Sequence, residues 1–122
     1  MVVAGQTERT EARNWFKQGI AVRILGDSYQ LWELMKTADR VIANDAGPAH
    51  LAAAMDIPSL TLFGPQDPQR WHPYPRDRHP VRQAGVDCQP CGLRHCPLKD
   101  AHHEQCMKTL SLSVVLDALR TL

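Results

Sequence analysis

Residues 41–54 have the sequence Val41-Ile42-Ala43-Asn44-Asp45-Ala46-Gly47-Pro48-Ala49-His50-Leu51-Ala52-Ala53-Ala54. The β-branched start, the Gly-Pro centre and the alanine-rich end predict a strand, a tight turn and a helix. Pro48 suits the first helical position, because the N–H of that residue has no partner inside the helix. Ligands of open parallel sheets lie at the carboxyl ends of the strands, so Asp45 is predicted to face one.

The predicted turn also has the features of an anion site. Gly47 lets the backbone approach a ligand closely, and we expect the free N–H groups of Ala49 and His50 to point outward. With the helix dipole these groups would suit a diphosphate, and the His50 imidazole would add a hydrogen bond or partial positive charge. The alternative is that Asp45 only caps the helix and His50 is an ordinary surface residue. Spacing alone does not choose between the two.

Outward from this stretch, short β-branched runs alternate with amphipathic runs, which predicts an α/β fold. The predicted strands cover residues 2–4, 21–25, 40–44 and 58–63. The predicted helices cover residues 8–18, ending at Gly19, a segment that begins near residue 28, and residues 47–55. Strands joined by helical crossovers pair in parallel, so we expect one parallel sheet with flanking helices.

The amino-acid composition changes after Gly64, because seven of the nine prolines and five of the six histidines fall between residues 65 and 103. We therefore predict one domain over residues 1–122 with an irregular Pro/His/Cys-rich excursion at 64–110. A loop of this length in a compact domain is usually functional or covers something. Its one short strand is predicted at residues 81–86.

Several apolar residues occur at the spacing of buried helix faces. A closing helix after Ser111, a plausible N-cap, is predicted to bury one stripe of side chains. That stripe consists of Leu112, Val115, Leu116 and Leu119. Core packing is also predicted for Trp15, Phe16, Trp32 and Met35. For Trp71 and Tyr74, in the proline-rich loop, anchoring of the loop is favoured over covering a ligand.

The composition excludes several classes of protein. A formal charge of +1, from 14 Lys and Arg against 13 Asp and Glu, does not favour nucleic-acid binding. No apolar run approaches the roughly 18 residues of a membrane span, and no signal-peptide pattern opens the chain. We expect a soluble cytoplasmic chain that makes, at most, peripheral contact with the inner face of the cytoplasmic membrane.

The four cysteines are gathered in one segment and form the pattern Cys88-x2-Cys91-x4-Cys96-x9-Cys106. Clustering of this kind suits a cytosolic protein better than a secreted disulfide scaffold. Three states stay open: reduced thiols, disulfides and structural zinc, with reduced thiols favoured. The second pair is spaced too widely for a standard zinc knuckle, so we predict no metal and no cofactor.

A resemblance to a known family rests on several of these motifs together. They are the segment Asp45 to Ala54, then Pro58, Leu62-Phe63-Gly64-Pro65, Asp67-Pro68 and Trp71-His72-Pro73-Tyr74. Together they resemble glycosyltransferase family nine, the ADP-heptose:lipopolysaccharide heptosyltransferases. The cysteine cluster, with Arg94, Pro97 and Leu98, is similar to the heptosyltransferase II branch in particular.

The resemblance implies a GT-B architecture of two facing Rossmann-like halves, with this chain as most of the C-terminal, donor-binding half. The implied reaction moves heptose from ADP-heptose to the lipopolysaccharide inner core. The acceptor-activating base is then expected in a missing N-terminal domain, so the chain alone is predicted to be inactive. Two alternatives are a non-catalytic sugar-nucleotide-binding module and a GT-B enzyme that uses another nucleotide sugar.

The resemblance also assigns substrate-binding roles. These fall on Asp45, Ala46, Gly47, Pro48, Ala49, His50 and Glu8. Ala46 departs from the family pattern, which usually has Ser or Thr there, and so lacks a hydroxyl that could donate to a phosphate. Glu8 belongs to Gly5-Gln6-Thr7-Glu8, which resembles the family's acidic strand-end loop, and Glu11 is a weaker candidate. Both could equally be favourable charges in the first turn of a helix.

Overall fold

The computed structural model describes all residues, 1–122, and has an α/β fold with parallel strands. The strands are β1 (Val2–Ala4), β2 (Val22–Ile24), β3 (Val41–Asn44), β4 (Ser59–Phe63) and β5 (Val81–Gln83). The helices are α1 (Arg9–Lys17), α2 (Ser28–Met35), α3 (Gly47–Ala54), α4 (Pro68–Trp71), α5 (Gln105–Lys108) and α6 (Leu112–Arg120). Short 3₁₀ turns lie at Gln6–Glu8 and Asp100–His102. The α/β class and the parallel pairing predicted from the sequence are confirmed, but the strands form two sheets, β1-β2 and β3-β4-β5, and not the single sheet that was predicted.

The chain forms two compact units, Met1–Thr37 and Ala38–Leu122. In the first unit β1 pairs with β2, and Ala4, Ala12 and Met35 are buried. Gly19 ends α1 as the sequence predicted. Its φ of +82° is left-handed, and the N–H groups of Gly19 and Ile20 close back on the carbonyls of Phe16 and Trp15.

In the second unit the strand order is β3-β4-β5, so β4 is central. A central strand is covered on both faces, and accordingly four of its five residues are buried. Ala49 and Ala52 of α3 have no exposed surface, because their small side chains let the helix approach the sheet closely.

The C-terminus of α3 is closed by a Schellman motif. Asp56, in the left-handed region with φ of 59°, donates its N–H to Ala53 O, and Ile57 donates to Ala52 O. Ile57 is buried beneath this turn. The motif fixes where α3 ends and β4 begins.

The excursion at 64–110 contains more regular structure than predicted: α4, β5, α5 and the second 3₁₀ turn. It is anchored by histidines rather than by aromatic side chains. His79 is buried and its Nδ1 lies 2.9 Å from Ser59 Oγ, while His72 Nε2 lies 2.6 Å from the His79 carbonyl oxygen. Tyr74 is 83% exposed, so the anchoring role predicted for it is wrong, whereas Trp71 is 49% exposed and its anchoring role stays a prediction.

The predicted buried faces are also partly wrong. Phe16, Trp32, Leu112 and Leu116 are exposed, whereas Met35 and Ala118 are buried. On α6 the small Ala118 meets the core, so the helix is rotated away from the face that the larger residues defined. Spacing identifies residues that share a face, and the neighbouring elements decide which face is covered.

Candidate functional site

The turn that connects β3 to α3 lies at the carboxyl end of β3. β3 pairs residue by residue with β4, and Asp45 extends the ladder by donating its N–H to Leu62 O at 3.1 Å. Ala46 is extended, with φ of −158°, and α3 begins at Gly47. The position of Asp45 is therefore set by the sheet and that of Gly47 by the helix. This agrees with the strand–turn–helix prediction.

The Asp45 carboxyl group lies close to an imidazole. Its side chain is 11% exposed, and Oδ1 lies 4.0 Å from His50 Nε2, whose side chain is 45% exposed. Burial raises the pKa of Asp45 above its usual value, and the neighbouring His50 opposes part of that effect. The carboxyl group is thus partly desolvated and is left to meet donors from outside the chain.

The backbone donors differ from those predicted. Ala49 donates its N–H to Ala46 O at 3.0 Å, so its N–H is not free. The first turn of α3 closes with an i→i−3 bond, which uses a group that an ideal helix leaves open. Gly47 N–H has no backbone acceptor in the chain. Pro48, at the second helical position rather than the first, has no N–H to offer.

Ala46 occupies the N-cap position of α3 and makes no side-chain capping bond. By contrast, Asp27 at the N-cap of α2 accepts a hydrogen bond from Gln30 N–H at 2.8 Å. The α3 cap therefore lacks the oxygen that usually satisfies a first-turn N–H. Gly47 has no atom near the position of a Cβ, so the turn is open on that side.

Glu8 lies in the first unit and has a local structural partner. Its Oε2 accepts the Gly5 N–H at 2.8 Å, and its own N–H donates to Gly5 O at 3.1 Å. This reciprocal pair resembles a capping box and fixes the turn after β1. Glu8 is exposed, and its role in ligand binding stays a prediction.

The four cysteines are all free thiols. Glu104 N–H donates to Cys96 Sγ at 3.3 Å, and the Gln105 side-chain amide donates to Cys88 Sγ at 3.4 Å. Burial raises the pKa of Cys106, and the charges of the other three sulfurs act in the same direction. No group of three or more His, Cys, Asp or Glu side chains is arranged to hold a metal ion as it stands.

The first unit also contains a cleft of about 460 Å³, which no sequence motif indicated. It lies between β2 and α2, and Arg23, Tyr29, Gln30 and Glu33 are among the residues that line it. The lining combines both charges with an aromatic ring. Arg23 belongs to β2, whereas Tyr29, Gln30 and Glu33 belong to α2, on a side of the helix where sequence spacing predicts only solvent contact.

Comparison with known proteins decides the family. The model of glycosyltransferase family 9 (heptosyltransferase) matches residues 6–102. The chain belongs to this family. The match includes Glu8, the Asp45–His50 turn and three of the four cysteines. No helix of this family 9 chain is long and apolar enough to cross a bilayer.

Named relatives agree with this assignment. The chain is 32% identical over 84 residues to lipooligosaccharide heptosyltransferase 2 of Campylobacter jejuni, covering 69% of this chain and 25% of that protein. It is 32% identical over 73 residues to lipopolysaccharide heptosyltransferase 1 of Pseudomonas aeruginosa, covering 60% of this chain and 20% of that protein. The family 9 chain therefore spans about a quarter or less of these relatives. No solved structure matches it.

Proposed function

We propose that this family 9 chain is the donor-binding part of a GT-B heptosyltransferase that moves heptose from ADP-heptose to the lipopolysaccharide inner core. The family match and the names of the relatives support heptosyl transfer. One observation carries the donor-binding role. Asp45, His50 and the open Gly47 N–H meet in one turn at the carboxyl end of β3.

The chemistry of these groups suits them to different parts of the sugar-nucleotide donor. A carboxylate only accepts hydrogen bonds, so Asp45 suits the hydroxyl groups of the sugar and repels phosphate. Gly47 N–H, at the positive end of α3, suits a diphosphate oxygen. His50, largely exposed on the first turn, adds a donor beside the same oxygen. The prediction of an anion site is thus kept, with Gly47 in place of Ala49 as the backbone donor.

The proposed reaction inverts the anomeric carbon. An acceptor hydroxyl gives its proton to a base, its oxygen bonds to the anomeric carbon, and the bond to the diphosphate oxygen breaks. This chain stabilises the negative charge of the departing diphosphate, while the base comes from another part of the enzyme. We therefore expect the chain alone to bind donor but not to transfer heptose.

Amide chemical shifts recorded during titration with millimolar ADP, UDP or GDP test the donor site. The resonances of Gly47 and His50 should move with ADP, and Asp45→Asn should change ADP-heptose binding more than ADP binding. Asp39→Asn is a matched control, because it removes the same charge from an exposed position just before β3 begins. Unmoved Gly47 and His50 resonances would refute the site, and a stronger response to UDP or GDP would refute ADP as the nucleotide.

Ala46 gives a specific reason to keep the non-catalytic module as a second candidate, because the hydroxyl usual in the family is absent. Combining the chain with a separately expressed N-terminal half, ADP-heptose and heptose-deficient lipopolysaccharide distinguishes the two. Transfer by the mixture supports the enzyme. Donor binding without transfer by an assembled mixture supports the module, and transfer by the chain alone refutes the division of roles.

A further inference from the structure

Residues 84–110 have a regular backbone conformation in places but no core of buried side chains of their own. No residue between Ala84 and Leu110 is buried, although the segment contains α5 and a 3₁₀ turn. Burial of apolar surface is the main stabilising term in ordinary domains, and small segments that lack it usually need disulfides or a structural metal. All four cysteines of the chain lie in this segment.

The cysteines come together although up to 18 positions separate them in sequence. Hydrogen bonds connect the sulfurs of Cys96 and Cys88 to Glu104 and Gln105, the two residues that precede Cys106. These three cysteines therefore surround the start of α5.

Cys91 is brought to the same place by its neighbour. Gly92 donates its N–H to Pro65 O at 2.7 Å, directly beside Gly64. Cys106 lies near the same glycine, since a Cβ placed on Gly64 would be 3.9 Å from Cys106 Sγ. The end of β4 thus holds the segments of Cys91 and Cys106 close together.

We propose that Cys88, Cys91, Cys96 and Cys106 bind one Zn²⁺ in tetrahedral S₄ coordination, and that this ion fixes residues 84–110 onto the end of β4. Four thiolates are the ligand set of structural zinc sites. Each thiol that binds gives its proton to solvent. Since no three ligands stand ready to hold an ion, binding includes rotation of thiol side chains.

The hydrogen bonds to the sulfurs support zinc over unassociated thiols. Donors from outside the coordination shell orient metal ligands, and their removal typically lowers metal affinity 10–100-fold. Glu104 N–H and the Gln105 amide already occupy such positions on two sulfurs. Glu104 has φ of 55°, a left-handed conformation unusual for its residue type, and this turn is the one that directs its N–H to Cys96.

The test uses the whole chain, purified with a phosphine reductant and without chelator. We expect one zinc per chain by elemental analysis, and Co²⁺ substitution should give the thiolate charge-transfer and visible bands of tetrahedral cobalt. Cys91→Ser and Cys96→Ser should each weaken zinc binding by more than tenfold, and Gln105→Ala by roughly 10–100-fold. His95→Ala is the matched control, because His95 is exposed between two proposed ligands and should leave binding unchanged.

Hydrogen exchange gives a second measurement that does not depend on activity. Zinc should slow amide exchange in residues 84–110 and leave β1 and β2 unaffected. Four titratable thiols with no bound zinc under reducing conditions would overturn the proposal, as would disulfides that form in place of zinc binding when reductant is omitted. Zinc binding that persists unchanged in both cysteine variants would overturn this ligand set.

Discussion

Ala46→Ser restores a hydroxyl at the N-cap of α3, and its effect on stability can be estimated from the hydrogen bonds of the first turn. A serine cap usually contributes about 0.5–2 kcal/mol relative to alanine by accepting an N–H from the second or third helical residue. Here the second residue, Pro48, has no N–H, and the third, Ala49, already donates to Ala46 O. The Ala49 N–H would therefore be shared between the new hydroxyl and the carbonyl oxygen of residue 46.

We expect a gain at the lower end of that range, about 0.5–1 kcal/mol, which for a chain of this size corresponds to an increase in Tm of roughly 2–5 °C. Calorimetric melting in the absence of ligand measures it. Ala54→Ser is the matched control: it adds the same hydroxyl at the exposed last residue of α3, where lower helix propensity should cost about 0.5 kcal/mol.

The same hydroxyl can donate to a phosphate while it accepts the Ala49 N–H. A hydrogen bond to a charged group contributes roughly 1.5–3 kcal/mol at best, so ADP should bind up to about 10–150 times more tightly to Ala46→Ser. Titration calorimetry on the two serine variants and the parent chain measures this. Ala54→Ser should bind ADP as the parent does.

The two measurements refute different parts of the reasoning. If Ala46→Ser leaves Tm unchanged, residue 46 is not the cap of α3 in solution. If it raises Tm while ADP affinity stays equal to that of the parent, the turn has the proposed geometry but the diphosphate binds elsewhere.

Three further substitutions test the buried groups. Asp45→Asn should raise stability at neutral pH, because burial raises the pKa of Asp45 and thus penalises its charged form; urea midpoints should show this gain shrinking as pH falls toward 3.8. Burial lowers the pKa of His79, so the unfolded chain takes up the proton first and the free energy of unfolding should fall as pH drops below 6.5. Denaturation curves of His79→Asn should show a weaker dependence of stability on pH in this range. An unchanged pH dependence would show that another group is responsible. Gly64→Ala places a Cβ 3.0 Å from Met107 Sδ and should cost about 1–3 kcal/mol, with part recovered in a Met107→Ala background; equal losses in both backgrounds would show that another contact is responsible.

The β3–turn–α3 segment could be predicted because its signals are local. Val41 and Ile42 favour a strand, and Gly47 with Pro48 marks the turn and helix start, so the predicted boundaries lie within one residue of the structure. The placement of Asp45 follows from a general property of parallel sheets. What the sequence could not show is that Ala49 N–H is used within the turn, because this depends on whether the first turn closes to i−3 or i−4.

Burial was less predictable because it depends on partners distant in sequence. Phe16 and Leu112 have the spacing of core residues, yet they are exposed. His79 has no periodic signal, yet it is buried against Ser59. Sequence spacing describes the faces of a single helix or strand, whereas burial depends on how two such elements pack together.

The excursion shows both situations. The short helix α4 was not predicted, although its start has local signals: Asp67 accepts the Gln69 N–H at 2.8 Å and Pro68 occupies the first turn. α5 had no such signal, because it begins after Glu104 in a left-handed conformation. The Glu104 N–H donates to Cys96 Sγ, a contact outside the helix that helix-start signals do not describe.

The absence of any exposed surface at Ala49 and Ala52 has a consequence for how this protein tolerates change. The methyl groups of these two alanines set the distance between α3 and the sheet, and thereby the position of the turn that precedes the helix. In a library that varies every position of α3, Ala54 should accept almost any residue, while positions 49 and 52 should accept little beyond glycine and serine. The number of residue types tolerated at each position of α3 would then depend on the distance of that position from the sheet and not on its distance from the ligand.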